Sequence, residues 1–159
     1  MNLKLVPVTA ENWRDAVFLT TDPERKIPLD EKWITSNAYS ILQCIYDDEW
    51  DCRLLVDEDQ AVGFVFYGLL QEENRAYLCR YMIDVKYQNQ GYGKAFLPRI
   101  VELIRSQYGE EEVYTSVHDD NPHAKYLYEG FGFQRTEEMD AEERVYVLQG
   151  ECVWTSSKL

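Results

Sequence analysis

The chain contains few of the residues from which metal sites and disulfide frameworks are built. Among 159 residues there are 2 histidines and 4 cysteines, and no two cysteines have the C-x-x-C spacing. The thiols belong to Cys44, Cys52, Cys79 and Cys152, which are widely and irregularly spaced. Zinc sites and disulfide frameworks recur at characteristic spacings, and this sequence has none of them. We therefore expect no metal, and free cysteines in a reducing compartment.

Long apolar runs and an excess of positive charge are also missing. No run approaches the roughly 18–20 apolar residues that span a bilayer, and the amino terminus lacks a signal-peptide core. The 16 basic residues are outnumbered by 29 acidic ones, so the net charge is −13. Nucleic acids and anionic membranes repel such a chain. The sequence predicts a cytoplasmic protein with no nucleic-acid or membrane partner. The charge would attract cations, although acidity also serves solubility alone.

The length and composition predict one folded domain. A chain of 159 residues can bury a core, and a content of 45% hydrophobic and 14% aromatic residues argues against disorder. No internal repeat and no linker divides the sequence. We expect a single domain over residues 1–159, in which residues 150–159 form a C-terminal tail.

Hydrophobic periodicity predicts the order of the elements. Alternation indicates strands over residues 3–8, 52–56, 61–69, 76–85 and 112–117, and a final hairpin of 133–137 with 144–148. Helical spacing indicates a helix capped by Thr9 and further helices over residues 30–46, 93–107 and 121–129. An antiparallel meander followed by helix, strand, helix and hairpin predicts a mixed α/β fold.

A glycine-containing turn between a predicted strand and a predicted helix is the most informative segment. Its residues are Gln88, Asn89, Gln90, Gly91, Tyr92, Gly93 and Lys94. Glycine lets the backbone turn tightly and lets a ligand approach it closely. The first N–H groups of the following helix lack intrahelical partners and lie at the positive end of its dipole. The turn is therefore a candidate phosphate-binding loop, and a purely structural turn is the alternative.

A second motif follows about thirty residues later. Its residues are Asn121, Ala124, Leu127, Tyr128, Gly132 and Phe133. Together the two segments resemble the Q-x-x-G-x-G loop and the N-x-x-A-x-x-L-Y-x-x-x-G-F signature of the GNAT family of N-acetyltransferases. They occur in the family's order and at its spacing, and the resemblance covers roughly residues 60–147. Two independent motifs in register identify the chain as a member of this family.

The resemblance implies a fold, a cofactor and a set of site residues. The fold would be the GNAT α/β fold, with about four helices and a mixed central sheet of about six or seven strands, splayed between strands four and five. The cofactor, acetyl-CoA, would lie in that opening. The residues implied to hold it are Tyr81, Met82 and Ile83 of the fourth strand, the loop of residues 88–94, and Asn121.

The resemblance also implies the reaction. An acetyl group would pass to a primary amine by direct attack through a tetrahedral intermediate, and Tyr128 would act as the general acid for the departing thiolate. Residues 81–94 look closest to those of bacterial spermine/spermidine acetyltransferases, which makes a polyamine the favoured acceptor. The alternatives are another amine (an aminoglycoside, an amino acid or a protein N-terminus) or a non-catalytic acyl-CoA sensor. Many members of the family are homodimers, so a homodimer is possible by analogy.

The general base is the point at which this sequence departs from those relatives. They carry a carboxylate in the fourth strand where this chain has Cys79. The acidic candidates for amine binding are Glu72 and Glu73 at the strand entrance, and Asp48 and Glu49 in the acidic run 47–51 beside Trp50. Strand alternation turns Asp84 away from the face of Ile83, which indicates a structural role.

Overall fold

A computed structural model describes residues 1–25 and 36–150 of the chain. The start of the helix predicted over residues 30–46, Cys152 and the predicted tail after Gly150 lie outside these residues. Seven strands make up one sheet. They are β1 (Leu3–Pro7), β2 (Trp50–Asp57), β3 (Gln60–Leu70), β4 (Arg75–Ile83), β5 (Val113–His118), β6 (Gln134–Asp140) and β7 (Glu143–Leu148).

The sheet is mixed, as the sequence predicts. Its strand order is β1-β2-β3-β4-β5-β7-β6. The β4–β5 pair is parallel, and the other neighbouring strands are antiparallel. The described residues also contain four α-helices, α1 (Trp13–Val17), α2 (Asn37–Tyr46), α3 (Tyr92–Tyr108) and α4 (Pro122–Phe131), and a 3₁₀ turn (Val85–Tyr87).

Local side chains decide where the helices begin. The Ser36 side chain accepts the Tyr39 N–H and caps α2. The prediction that Thr9 caps the first helix is wrong, because α1 begins after Asn12. The Asn12 side chain instead accepts the N–H of Thr9 at 2.7 Å and donates to the Pro7 carbonyl at 2.9 Å. The chain therefore turns once more before the helix starts.

Helices cover the sheet on both faces, which gives the protein two apolar cores. The larger core packs α3 and α4 against one face. It includes Val65, Leu78, Phe96, Leu97, Ile100, Ile104, Tyr128 and Phe131. The smaller core lies on the other face, beneath α1 and α2, and consists of Ala16, Leu19, Cys52, Leu54, Phe64, Phe66 and Met82. This arrangement fixes β4 in the middle of the molecule, between the two cores.

Asp84 ties the end of β4 to the segment after α1. Its side chain is 1% exposed and accepts hydrogen bonds from the backbone N–H groups of Thr20 and Lys86 and from Arg25, each at 3.0 Å. Burial acts to raise the pKa of Asp84, but the hydrogen bonds from Arg25, Lys86 and Thr20 outweigh it, so the pKa is lowered. The structural role predicted for Asp84 is confirmed.

Replacing Asp84 with asparagine should destabilise the fold by about 2–3 kcal/mol, because a buried charge with three donors is lost. A chain of this size would then melt roughly 5–10 °C lower at pH 7. Since the folded pKa lies below the ordinary value, the advantage of the wild type exists above about pH 4 and disappears as the pH falls through the folded pKa. Asp59→Asn, at an exposed turn, should melt like the wild type. Equal melting of the two variants at pH 7 would contradict the prediction.

Candidate active site

A wedge-shaped gap opens between β4 and β5. The two strands pair only at Ala76 with Val113 and at Tyr77 with Tyr114. One residue further on, the Thr115 hydroxyl donates to the Leu78 carbonyl at 2.8 Å and closes the apex of the gap. Beyond the apex the facing strand edges lack each other as partners, so their backbone groups are available to a ligand. The splay predicted between strands four and five is confirmed.

A β-bulge places Cys79 at this apex. Across the β3–β4 pair Leu78 faces Tyr67 and Arg80 faces Phe66, so Cys79 is the extra residue. A bulge disrupts the ladder locally and redirects a side chain. Cys79 is exposed, yet the surrounding protein raises the pKa of its thiol to about 12, with burial as the largest cause. The thiol is therefore uncharged at neutral pH.

Two glutamine side chains shape the loop that follows β4. Gln88 Nε2 donates to the Ile83 carbonyl at 3.1 Å, and Gln90 Nε2 donates to the Lys86 carbonyl at 2.9 Å. Asn89, which lies between them, has a φ of 61°, a conformation that asparagine adopts more readily than most residues. These side chains brace the loop, which leaves its backbone to face a ligand.

The helix after the loop begins without a side-chain cap among the described residues. Gly91 precedes α3 with a φ of 86° and provides no side-chain cap for the helix. A Cβ added to Gly91 would meet no atom within 4 Å, so there is open space beside the helix start. Uncapped N–H groups at the positive end of a 17-residue helix suit a phosphate. This end of α3 therefore fits the pyrophosphate of a coenzyme A group.

The side chains of Tyr92 and Lys94 have partners within the protein. The Tyr92 hydroxyl donates to Asp57 Oδ2 at 2.8 Å. Its backbone is therefore the part of Tyr92 that is left to contact a ligand of the loop. The Lys94 ammonium lies 3.4 Å from the Tyr126 hydroxyl and 5.0 Å from the centre of the Tyr126 ring. Lys94 therefore carries its positive charge between α3 and α4.

The three residues predicted from β4 use their side chains for packing. The Tyr81 hydroxyl donates to the Gly93 carbonyl at 2.7 Å and ties β4 to the first turn of α3. Burial raises the pKa of Tyr81 well above its ordinary value, so the phenol remains a donor. Met82 belongs to the smaller core, and Ile83 packs on the larger one. Only the backbone of this segment is left to contact a cofactor.

Asn121 caps α4. Its side chain accepts the N–H of Ala124 at 3.1 Å, and Pro122 occupies the first helical position. Asparagine and proline are favoured at these two positions, so the predicted helix start is confirmed. Because the side-chain oxygen of Asn121 caps the helix, its side-chain amide nitrogen is the group that could contact a ligand.

Tyr128 lies on α4 behind the apex of the gap. It is 6% exposed and packs edge-on against Phe133, with ring centres 5.2 Å apart. Burial raises the pKa of Tyr128 well above its ordinary value, and a contact with the Thr115 hydroxyl opposes the rise. Tyr128 in turn raises the pKa of Tyr81, the side chain that holds the start of α3. Tyr81 is therefore a neighbour of both Tyr128 and the candidate phosphate-binding loop.

The acidic residues predicted to bind the amine lie away from the gap. Glu72 and Glu73 occupy the turn before β4, at the end where β4 and β5 are paired, and Glu73 contacts Arg75 at 3.3 Å. Asp48 and Glu49 lie on the same side, since the Glu49 carboxylate accepts the N–H of Gln71 at 3.2 Å. The structure does not bring these four carboxylates to Cys79 or Tyr128.

Glu143, which the sequence patterns do not single out, lies near the gap on the far side of β5. Glu143 begins β7 beside β5, and its carboxylate accepts a hydrogen bond from Ser116. Its negative charge contributes to the raised pKa of Cys79 and, as a smaller cause, to that of Tyr128. The sequence feature that could have indicated Glu143 is its position two residues before the buried Val145 in the final hairpin. That alternation predicts a shared face, but only the strand order places the face next to β4.

Solved structures of low sequence identity establish the class of fold. The crystal structure of an acetyltransferase from Thermus thermophilus superposes with a TM-score of 0.72 at 22% identity, covering 96% of this chain and 98% of that one. The spermidine N-acetyltransferase from Vibrio cholerae, crystallised with CoA and spermine, gives 0.69 at 17% identity, with coverage of 92% and 93%. The fold is that of the acetyltransferases.

Sequence comparison establishes the family. A profile of the Acetyltransferase (GNAT) family matches residues 10–133. The spermine/spermidine N(1)-acetyltransferase of Bacillus subtilis (strain 168) is 33% identical over 145 positions, covering 81% of this chain and 94% of the relative. The chain belongs to the GNAT family of acetyltransferases, and it is an enzyme that uses acetyl-CoA. None of the helices in the described ranges is long and apolar enough to span a membrane.

Proposed function

We propose that the enzyme acetylates a primary amine of a polyamine such as spermine or spermidine. The observation that carries the reaction is the meeting of three features at the β4–β5 gap: the unpaired strand edges beyond its apex, the start of α3 and Tyr128. The acceptor is supported by the Bacillus subtilis relative and by the net charge of −13, which favours a polycation. A cytoplasmic location and a homodimer remain predictions.

Acetyl-CoA supplies the acetyl group as a thioester, and the chain holds it through backbone groups. The N–H groups at the start of α3, with the loop of residues 88–94, bind the pyrophosphate. The free edge of β4 at residues 81–83 pairs with the pantetheine amides, in the way that a neighbouring strand would. Asn121 contributes its amide nitrogen from the β5–α4 side. Glycine at position 91 keeps the space beside the helix start open.

Tyr128 holds the proton that the thioester sulfur needs when it departs. Its raised pKa keeps the hydroxyl protonated across the physiological range. The leaving thiolate has an ordinary pKa near 8.5, below that of the phenol, so it takes the proton only because the donor is well placed, and the phenol regains a proton easily. The amine nitrogen, now bonded to the acetyl group, must lose a proton at the same stage, and this proton restores the Tyr128 hydroxyl. One hydroxyl therefore returns to its starting state after each turnover.

The acceptor amine must reach the gap without its extra proton. An alkyl ammonium with a pKa of about 10.4 is neutral in roughly one molecule in a few thousand at pH 7, so deprotonation costs about 4–5 kcal/mol. Cys79 cannot lower this cost by charge, because its thiol is neutral. Glu72, Glu73, Asp48 and Glu49 attract a polycation over a longer range, and salt should screen their effect.

Release of free thiol from acetyl-CoA, measured against a panel of amines, tests the proposal. The panel contains spermine, spermidine, an aminoglycoside, amino acids and a peptide with a free N-terminus. We expect turnover to concentrate on spermine and spermidine and their KM to rise with salt. Turnover concentrated on another amine would keep the reaction and overturn the acceptor. Binding of acetyl-CoA with no turnover on any amine would favour an acyl-CoA sensor instead.

A further inference from the structure

Four polar side chains from β4, β5 and β7 lie near one another at the apex of the β4–β5 gap, and we call this group the polar recess. Tyr77 and Cys79 come from β4, Ser116 from β5 and Glu143 from β7. In the β5–β7 ladder His118 faces Glu143 and Ser116 faces Val145, so Ser116 and Glu143 lie on one face, two positions apart. The Ser116 hydroxyl donates to Glu143 Oε2. The carboxylate is therefore held in a fixed position beside the opening.

The Tyr77 hydroxyl is buried in this recess without a hydrogen bond among the described residues. The residue is 5% exposed. Burial raises the pKa of Tyr77, a hydrogen-bonding contact with the Ser116 hydroxyl lowers it, and Asp140, Cys79 and Glu143 raise it further. Ser116 is thus close to Tyr77, but its hydroxyl is oriented to Glu143. A buried hydroxyl that lacks a well-formed hydrogen bond is destabilising, and a polar ligand in the recess would supply the missing partner.

Negative charge reaches position 79 from the β6–β7 hairpin. After burial, the causes that raise the pKa of Cys79 are Glu143 and Asp140, in that order, while Arg80 lowers it. The Arg80 guanidinium is centred 6.0 Å from the Phe64 ring, on the side of the smaller core. Position 79 of β4 has no carboxylate of its own, but the carboxylate of Glu143 on β7 acts on it.

We propose that Glu143 binds the ammonium end of the acceptor amine in this recess and takes one of its protons. One N–H bond of the ammonium breaks, its electron pair stays on nitrogen, and the proton moves to a Glu143 carboxylate oxygen and then to water. The Tyr77 oxygen accepts a second N–H group of the amine. Glu143 thereby replaces the carboxylate that Cys79 does not provide. The inference rests on the proposed amine acetylation and names its amine site.

Binding of the amine at this site can be measured without turnover, because it should change the rate at which Cys79 is alkylated. Iodoacetamide alkylates the thiolate, so its rate at pH 8 follows the thiolate fraction of Cys79. Peptide mass spectrometry separates Cys79 from the other cysteines. In the wild type without acetyl-CoA, we expect saturating spermine to slow alkylation of Cys79 at least about threefold by covering it. In Glu143→Gln the protection should disappear, and the rate without spermine should rise about 3- to 10-fold because the thiol pKa falls.

Kinetics supply the second arm of the test. Removing a charged partner of the ammonium should raise the amine KM about 10- to 100-fold and lower kcat, while the Kd for acetyl-CoA stays within twofold. Glu143→Asp, which keeps the charge on a shorter side chain, should recover part of the loss. Glu142→Gln, one residue away at the exposed hairpin turn, is the matched control and should behave like the wild type in both arms.

The outcomes separate the amine site from the proposed function. Wild-type turnover on an amine together with unchanged KM and unchanged Cys79 protection in Glu143→Gln would overturn the inference and leave the acetylation standing. Equal effects in Glu143→Gln and Glu142→Gln would also overturn it, since the effect would then be general electrostatics. Acetyl-CoA binding without wild-type turnover would remove the proposed function. If Glu143→Gln does not fold, Glu143→Asp provides the test. Its side chain is shorter, so a wild-type amine KM and wild-type protection of Cys79 in Glu143→Asp would contradict a role that depends on the position of the carboxylate.

Discussion

Tyr128→Phe should lower kcat at least about 100-fold while leaving the affinity for acetyl-CoA within twofold of the wild type. Proton transfer from a positioned side chain typically contributes 10²- to 10⁴-fold, and phenylalanine keeps the ring but has no proton to give. The ring packs against Phe133 and is 6% exposed, so its packing survives the change. Single-turnover release of thiol and calorimetric binding of acetyl-CoA separate the two effects.

Tyr146→Phe is the matched control for this substitution. Tyr146 is also buried, and its hydroxyl donates to Glu129 of α4 at 3.1 Å, but it belongs to β7, on the far side of β5 from the gap. Each variant loses one hydroxyl contact, so each should lose about 1 kcal/mol of stability, and only Tyr128→Phe should lose turnover. Equal activity of the two variants would remove Tyr128 from the chemistry and leave it as a packing residue.

The pH dependence of the wild type follows from the same environment. Because burial raises the pKa of Tyr128 above its ordinary value near 10, the acid form persists into alkaline solution. The neutral fraction of the amine meanwhile grows as the pH rises toward about 10.4. We therefore expect kcat to show no alkaline decrease below pH 10. A decrease in kcat that begins near pH 8 and is absent from Tyr128→Phe would contradict this prediction, because it would mean that the pKa of Tyr128 is not raised.

The parts of the site that the sequence predicted correctly depend on local chemistry. The start of α4 follows from Asn121 and Pro122, whose preferences act within one turn. The turn before α3 follows from Gly91, whose φ of 86° is costly for other residues. These features need no knowledge of neighbouring strands. The fold could be predicted for a similar reason, since the order of strands and helices determines the sheet class.

The parts that the sequence could not predict depend on contacts between distant segments. Glu73 is close to β4 in sequence, but the start of β4 is the end that pairs with β5, so Glu73 lies at the paired end of the two strands and not beside the gap. Glu143 is 64 residues from Cys79, as 143 − 79 gives, and its charge acts on Cys79 because β7 lies next to β5 in the sheet. The bulge at Cys79 likewise arises from the register with β3, which the sequence of β4 does not contain.

Gly91→Val should abolish measurable binding of acetyl-CoA, with a loss of affinity of at least about 100-fold, while the protein still folds. The space beside Gly91 is open within the protein, since an added Cβ would meet no atom within 4 Å. Valine would fill that space and hold a pyrophosphate away from the N–H groups at the start of α3. The loss of one or two hydrogen bonds to a charged group, each worth about 1.5–3 kcal/mol, accounts for the size of the effect.

The backbone strain of this substitution has its own control at the other end of the same helix. Gly109 follows α3 with a φ of 71°, and an added Cβ there would also meet nothing within 4 Å. Valine is disfavoured at both positions by about 1–2 kcal/mol, so both variants should melt roughly 2–8 °C below the wild type. Only Gly91→Val should lose acetyl-CoA, because only that end of α3 is the positive end of the helix dipole. Matched losses of affinity in the two variants would attribute the defect to strain in α3 and would remove the phosphate-binding role from residues 88–94.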